Sequence, residues 1–267
     1  MGSIDPGGGG SRPRLSAMRT AGHTYPYRDW PLGAALEELA SLRLSRVEVW
    51  LGHAGDGPDA VRRLLREREL EPAAVSAGGF YAPDSDVIPR AFELAEALGV
   101  SVVVACVTPG VLEAVVHRVP AGVTFCVENH WDQPLATSRE LGAVLARHPR
   151  IAACIDTGHA LLAGEPPERA VAALGARVGH VHLKDAAYPS LRERVVGRRL
   201  RRRFLPRPEP VVPGRGALDV VRVRRALEAT GYEGTVTVEY EGSEPTAALE
   251  VLLEAWVPSG EALVGAS

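Results

Sequence analysis

The amino-acid sequence predicts an α/β fold, a single closed (β/α)8 barrel with its functional residues at the C-terminal ends of strands 5–8. Four short apolar runs in the second half of the chain each end in one ligand-type residue: Glu128, Asp156, His182 and Glu239. These runs are rich in β-branched and small apolar residues, as in strands buried on both faces. A helical pattern fills every gap between them, and the 267 residues are close to the roughly 250 typical of such a barrel.

Eight strands and eight helices are predicted in alternation from residue 18 onward. The predicted strands are 19–24, 46–51, 71–77, 101–107, 123–128, 151–156, 178–183 and 235–239. The predicted helices are 32–42, 59–69, 88–98, 110–116, 138–147, 167–174, 219–229 and 245–255. The second helix carries Val61, Leu64 and Leu65 on one face and arginines on the other, the pattern of a helix packed on an outer ring.

Glycine positions and ligand positions favour the closed barrel over an open doubly wound sheet. Gly99, Gly175 and Gly231 follow the third, sixth and seventh helices, where glycine commonly ends a helix. No GxGxxG motif follows the first strand. An open sheet would spread the four ligand-type residues along an edge, whereas a barrel gathers the C-terminal strand ends at one mouth.

Composition and charge limit the function classes. The apolar fraction of 46% and the charged fraction of 24% are ordinary, and a net charge of −3 gives no electrostatic reason to bind nucleic acid or an anionic membrane. No run approaches the ~18 apolar residues of a membrane helix, and no apolar signal segment follows Met1. Cys106, Cys126 and Cys154 each fall inside a predicted strand without a CxxC motif, which indicates reduced core thiols and a cytoplasmic location.

The two ends of the chain lack the pattern of folded elements. Residues 1–17 contain five glycines in a stretch rich in Gly, Ser and Pro, which predicts a disordered linker or tag. The barrel is expected to span residues 18–257. Residues 258–267 are expected to form a frayed tail.

Three motifs and a closing glutamate resemble one known family. The motifs are Glu-Asn-His at 128–130, Asp-Thr-Gly-His-Ala at 156–160 and His-Val-His-Leu-Lys-Asp at 180–185, and Glu239 follows Thr-Val-Thr-Val. From about residue 18 to residue 256 the chain resembles the xylose isomerase-like TIM barrels, the sugar phosphate isomerase/epimerase group. That group also includes endonuclease IV relatives, inosose dehydratases and tagatose 3-epimerase-type enzymes.

The resemblance implies one divalent metal ion bound by Glu128, Asp156, His182 and Glu239. Oxygen ligands with one imidazole suit Mn, Mg or Co, with Zn as a further candidate, whereas structural zinc sites use thiolates. A cation that binds the carbonyl and adjacent hydroxyl oxygens of a substrate stabilises an enediolate. The resemblance also makes Glu128 and Glu239 the catalytic pair, which exchange protons on the two faces of the substrate.

Five further side chains are predicted to contact the substrate: His159, Lys184, Glu48, Trp131 and His53. His159 is implied to lie over the substrate hydroxyls, and its alternative is a solvent-facing position at a helix start. Lys184 alternatively forms a surface salt bridge, and Trp131 alternatively packs in a lid. Glu48 has two alternatives, to orient a metal ligand or to form a buried structural ion pair.

Two of the predicted ligands also have competing interpretations. Asp156 followed by Thr-Gly is good capping chemistry, so the aspartate by itself is equally typical of a helix N-cap. His180 and His182 share one face of their strand because side chains alternate. His182 is chosen because it is nearer to the strand end.

Residues 188–216, after the seventh strand, form a long connection with eight arginines between Arg192 and Arg207. Three interpretations compete: a solvated mobile loop, a lid that places an arginine on a phosphate or carboxylate of the substrate, and a contact with nucleic acid. Nucleic acid is disfavoured because the part leading to Gly214 and Gly216 lacks the histidine-bearing metal motif of endonuclease IV-type enzymes.

Together these features predict an enzyme, a metal-dependent isomerase or epimerase of a ketose, cyclitol or related hydroxyketone. The alternative is a dehydratase or other lyase of a 3-oxo sugar or inosose, which begins with the same proton abstraction. An endonuclease IV-like repair enzyme and a non-catalytic metal-binding barrel are less favoured. The expected partner is a sugar-like small molecule; relatives often form dimers or tetramers, and no sequence feature decides the oligomeric state.

Overall fold

The computed structural model describes residues 18–196, 200 and 207–257. The predicted linker at 1–17 and the predicted tail at 258–267 lie outside the described residues. So do residues 197–199 and 201–206 of the arginine-rich connection.

Eight parallel strands close into a barrel in chain order, as the sequence predicted. They are β1 (Arg19–His23), β2 (Arg46–Trp50), β3 (Glu71–Phe80), β4 (Val102–Val107), β5 (Thr124–Glu128), β6 (Ile151–Asp156), β7 (Val178–Leu183) and β8 (Thr235–Val238). β1 pairs with both β2 and β8, so the sheet has no exposed edge. β8 ends at Val238, so Glu239 is the first residue after the strand rather than its last residue.

All eight predicted helices are present, with ends within two residues of the prediction. The described helices are α1 (Leu32–Ser41), α2 (Pro58–Glu67), α3 (Val87–Leu98), α4 (Pro109–Val116), α5 (Ser138–Leu145), α6 (Thr157–Ala163), α7 (Pro167–Leu174), α8 (Leu191–Val196), α9 (Val220–Ala229) and α10 (Pro245–Trp256). The sequence did not predict α6 and α8, which are short. Gly99, Gly175 and Gly231 have positive φ values of 69°, 52° and 70°, which glycine adopts readily after a helix end.

The main core lies between the strands and the surrounding helices. On α2, Val61 and Leu65 are buried in it and Leu64 packs against it, as the amphipathic pattern predicted. A second, small cluster of Val104, Cys126 and Cys154 lies apart from the main core. The predicted core cysteines are buried free thiols. Among the described residues, no helix combines the length and the apolar content that crossing a bilayer requires.

Candidate metal centre

Strand register brings the four predicted ligands to one end of the barrel. Asp156 at the end of β6 pairs with His182 on β7, and Glu128 at the end of β5 pairs with Cys154. The main-chain N–H of Glu239 donates to a β7 carbonyl at 3.0 Å and continues the alignment of β8 with β7. Because the strands are parallel, the four side chains share the mouth at the C-terminal strand ends.

The His182 imidazole is the centre of this group. Its Nδ1 lies 2.9 Å from Glu128 Oε1, 3.3 Å from Glu239 Oε2 and 3.9 Å from Asp156 Oδ2. Ligand atoms of Asp156, His182 and Glu239 all lie within 4.8 Å of one another, as do those of Glu128, Asp156 and His159. Three carboxylates this close together repel one another unless positive charge lies between them.

Glu48 lies beneath His182 rather than at the mouth. It is fully buried on β2, and its Oε1 lies 3.1 Å from His182 Nε2 while its Oε2 lies 2.7 Å from His180 Nε2. A His182 tautomer that donates Nε2–H to Glu48 leaves the Nδ1 lone pair facing the three carboxylates. This is the arrangement in which a buried carboxylate orients a metal-binding histidine. The geometry therefore favours the ligand-orienting interpretation of Glu48.

Imidazoles keep the buried Glu48 carboxylate ionised. Burial by itself raises the pKa of Glu48, but His182, His180 and His23 together hold the pKa well below its usual range. His180 Nε2 also lies 3.0 Å from Thr237 Oγ1. The layer below the mouth is thus a buried polar network, which fixes the His182 ring from behind.

The two oxygens of Asp156 have different partners. Oδ1 accepts the main-chain N–H of His159 at 2.7 Å and caps α6, while Oδ2 faces His182 and Lys184. The capping interpretation and the ligand interpretation are therefore compatible in one side chain. Asn129 fixes the Asp156 main chain from β5, because its side chain accepts the Asp156 N–H at 2.6 Å and donates to the Asp156 carbonyl at 3.1 Å.

Lys184 is the only lysine in the chain, and it is buried at this site. Its Nζ lies 3.0 Å from Glu239 Oε1, 3.3 Å from Asp156 Oδ2 and 2.5 Å from Glu241 Oε1. Burial by itself lowers the pKa of Lys184, but the three carboxylates raise it well above its usual range, so the side chain is an ammonium. The predicted alternative, a salt bridge on the surface, is wrong, because the ion pairs of Lys184 lie inside the barrel mouth.

The two predicted catalytic carboxylates are ionised. Burial raises the pKa of Glu239, but Lys184 and His23 hold the pKa well below its usual range. Burial also raises the pKa of Glu128, and the hydrogen bond and charge of His182 lower it below its usual value. Glu128 is the most accessible of the three carboxylates, with an 11% exposed side chain against 5% for Glu239.

A cavity of about 100 Å³ opens next to these residues. His159, Lys184 and Trp131 line it, as does the segment 207–211 from the end of the arginine-rich connection. Trp131 is buried. The pKa of His159 is well below its usual range, first because the ring is buried and then because of the charges of His130 and Lys184. Three of the five residues predicted to contact substrate therefore lie around one cavity.

The other two predicted substrate contacts lie elsewhere in the described part of the chain. Glu48 is below His182, and His53 is in a short turn after β2 where its Nε2 lies 3.2 Å from the Tyr27 carbonyl. The His53 ring packs edge-on against Trp50, with ring centroids 5.3 Å apart. The His53 ring is half-buried and bonded to the main chain of Tyr27, so it is placed to hold the segment that contains Tyr27.

Two residues of this site, Glu241 and His23, were not among the predicted ligands and substrate contacts. Glu241 follows Glu239 by two residues and so shares its direction, which was a usable signal. His23 ends β1, stacks on His182 with ring centroids 5.3 Å apart, and places Nδ1 3.2 Å from Glu239 Oε2. The contact of His23 with Glu239 depends on the pairing of β1 with β8, which closes the barrel.

Comparison with known sequences identifies related proteins. The sequence model of the xylose isomerase-like TIM barrels matches residues 36–257. The inosose dehydratase of Erwinia tasmaniensis is 31% identical over 129 residues, which are 45% of this chain and 42% of that protein. The inosose dehydratase of Geobacillus thermodenitrificans is 30% identical over 128 residues, 45% of this chain and 41% of that protein. The match spans less than half the length of these curated relatives.

Comparison with solved structures shows the same fold at low sequence identity. A D-tagatose 3-epimerase-like protein has a TM-score of 0.69 and 17% identity, covering 90% of this chain and 97% of its own. The probable 3-DHS dehydratase from Bacillus anthracis has a TM-score of 0.66 and 15% identity, covering 88% and 98%. The 3-keto-D-glucoside 4-epimerase of E. coli has a TM-score of 0.65 and 15% identity, covering 88% and 97%.

Proposed function

The chain belongs to the xylose isomerase-like TIM barrel family, and from this premise we propose that it is a metal-dependent isomerase or epimerase. Its substrate is a ketose, cyclitol or related hydroxyketone. The observation that carries the proposal is the convergence of Glu128, Asp156 and Glu239 on Nδ1 of His182, next to a cavity. Proton abstraction beside a carbonyl requires a base and a way to stabilise an enediolate. The carboxylates would supply the base, and a cation held by this group would supply the stabilisation.

One divalent cation would be held by Glu128, Asp156, His182 and Glu239. The residues fit such an ion because Nε2 of the histidine is bonded to Glu48, which leaves Nδ1 directed at the carboxylates. Carboxylate oxygens with one imidazole suit Mn²⁺, Mg²⁺ or Co²⁺, and Zn²⁺ is a further candidate. When bound, the cation polarises the carbonyl and the adjacent hydroxyl of the substrate.

Glu128 and Glu239 would exchange the substrate proton on opposite faces. Both carboxylates are ionised, so both can accept a proton. Glu239 keeps one oxygen toward His182 while the other accepts a bond from Lys184. Glu128 has the more accessible carboxylate and is the better initial base. His159, Lys184 and Trp131 then orient the hydroxyls and the ring face of the substrate from the cavity wall.

A dehydratase is the second candidate, and the names of the sequence relatives favour it. Both curated relatives are called inosose dehydratases. Elimination starts with the same proton abstraction and continues when a hydroxyl leaves from the carbon β to the enediolate. The ionised Lys184 at the cavity is placed to bond to such a leaving oxygen.

Reduced buried thiols and a sugar-like substrate agree with a cytoplasmic metabolic enzyme.

Metal binding is tested with Asp156→Asn, which removes one charge from the site and keeps an oxygen that can cap α6. We expect about one Mn, Mg, Co or Zn per parent chain by elemental analysis and a loss of the metal in the variant. Asp219→Asn is the matched control because Asp219 caps α9 in the same way, accepting the Arg222 N–H at 3.0 Å. Equal metal content in parent and Asp156→Asn would refute the site.

The reaction class is tested by incubating the metal-loaded protein with D-tagatose, D-allulose and an inosose in D₂O. Deuterium incorporation with a rearranged sugar supports the isomerase or epimerase, and release of water with a new enone absorbance supports the dehydratase. Glu128→Gln should abolish either reaction while retaining much of the metal. No exchange with any hydroxyketone by the metal-loaded parent would refute both reactions and leave a non-catalytic barrel.

A further inference from the structure

Asp185 accepts four main-chain hydrogen bonds from the returning end of the β7–α9 connection and from its own neighbour. Oδ2 accepts the N–H groups of Gly214 at 2.9 Å and Gly216 at 3.0 Å. Oδ1 accepts the N–H groups of Leu218 at 3.0 Å and Ala186 at 2.8 Å. Asp185 is 6% exposed, whereas Gly214 and Gly216 are exposed residues, so a buried carboxylate binds the main chain of a surface segment. Charge-assisted bonds of this kind are about twice as strong as neutral ones.

The returning chain is shaped to fit this carboxylate. The chain turns and bends over residues 213–217, with a φ of 81° at Gly214, and this path turns the N–H groups of residues 214, 216 and 218 toward Asp185. A Cβ on Gly216 would lie 2.1 Å from Asp185 Oδ1, so a larger residue does not fit there. The Ala217 N–H donates to the Ala186 carbonyl at 2.9 Å and closes the contact from the other side.

This contact lies directly beside the proposed active site. Asp185 follows Lys184, and both residues line the cavity. The segment 207–211 lines the same cavity, and the contact of Gly214 with Asp185 follows only three residues after it. The arginine-rich connection therefore reaches the cavity through a segment that is fixed at one end by Asp185.

We infer that Asp185 is a positioning residue that holds the segment 207–218 in place as the outer wall of the substrate cavity. The inference rests on the proposed function for its effect on substrate binding, but the hold on the main chain is independent of any reaction. Asp185 touches none of the four proposed metal ligands through its described hydrogen bonds, so the metal site does not depend on it. Substrate affinity depends on it because the wall closes the cavity.

The hold is tested by hydrogen–deuterium exchange in the full-length, Mn²⁺-loaded protein. Asp185→Asn keeps the side-chain shape but turns two of the four accepting positions into an amide that donates. We expect peptides covering 207–218 to exchange about tenfold faster, since a lost charged hydrogen bond is worth roughly that factor. Gly216→Ala, which leaves the carboxylate intact and displaces the chain, should give the same local increase. Asp219→Asn, one residue beyond the segment, should leave 207–216 unchanged.

Two further readouts separate the wall from the metal site. Mn²⁺ affinity should stay within about twofold of the parent in Asp185→Asn, while KM for the ketone that the parent converts should rise about tenfold at nearly constant kcat. Unchanged exchange at 207–218 in both variants would overturn the inference. Weakened Mn²⁺ binding or an equal fall in kcat with unchanged KM would also overturn it. If the parent converts no ketone, the proposed function fails, and the exchange of 207–218 still decides whether Asp185 holds the wall.

Discussion

Lys184 is the residue at which side-chain identity matters most clearly. Every other strongly basic residue of the chain is arginine, yet the one position among Asp156, Glu239 and Glu241 holds lysine. An ammonium is a compact charge with three donors, and each of the three carboxylates lies within reach of one donor.

The first prediction concerns Lys184→Met, which removes a positive charge beside the proposed cation. We expect Mn²⁺ to bind about tenfold more tightly, because the charge repulsion within the site is lost. Turnover should fall because the cavity loses its ammonium. Both quantities can be measured by calorimetry and steady-state kinetics. Arg46→Met, which breaks an exposed pair with Glu71, should change neither. Weaker Mn²⁺ binding in Lys184→Met would mean that the lysine arranges the ligands instead of opposing the metal charge.

At the scale of elements, the junction of β6 with α6 is tied to the end of β7 by one hydroxyl. Thr157 Oγ1 donates to the Lys184 carbonyl at 2.7 Å and accepts the Lys184 N–H at 2.8 Å. All of these groups are buried. The hydroxyl therefore replaces a missing strand partner and positions the Lys184 stem over Gly158, where a Cβ would lie 2.9 Å from that stem.

The second prediction follows from that junction. Thr157→Val preserves the shape of the side chain and leaves two buried main-chain groups without partners. We expect a loss of about 2–3 kcal/mol in the free energy of unfolding, measured by urea denaturation of the metal-free protein. Thr230→Val removes a bond to the Leu227 carbonyl at the end of α9, where water can replace it, and should cost less than about 1 kcal/mol. Equal costs would show that the junction is not held by this hydroxyl.

At the scale of the whole molecule, the metal centre joins strands that are far apart in the sequence. Glu128, Asp156 and His182 lie on consecutive strands, and Glu239 follows β8, next to β1. A cation bound by all four would cross-link half of the barrel wall. An ion that binds only the folded state stabilises that state by mass action.

The third prediction is that a divalent cation raises barrel stability through these ligands alone. At a free Mn²⁺ concentration 100 times its Kd, the free energy of unfolding should rise by about 2.7 kcal/mol. The rise should appear as a higher melting temperature, reverse with a chelator, and disappear in Asp156→Asn. A similar rise in Asp156→Asn would mean that the cation binds at another place.

The sequence alone was enough for the barrel and for the group of proposed ligands. Strand composition, helix periodicity and helix-ending glycines are local properties of the sequence. Burial determines the first two, and backbone geometry determines the third. Its position nearer to the end of β7 was enough to prefer His182 to His180, and the structure places His182 among the carboxylates and His180 below them. The short helices α6 and α8 were not predicted because neither is long enough to show a period.

Only the tertiary structure decided what lies behind and around that group. Glu48 and His182 are 134 positions apart, and their contact depends on the closure and stagger of the barrel, which no local pattern encodes. The same closure places His53 away from the cavity and brings His23 beside Glu239. Asp185 holds a chain that returns about 30 residues later, and main-chain N–H groups of that returning chain find their acceptor only in the folded protein. Local sequence therefore determined which residues end the strands, and long-range pairing determined what each of them contacts.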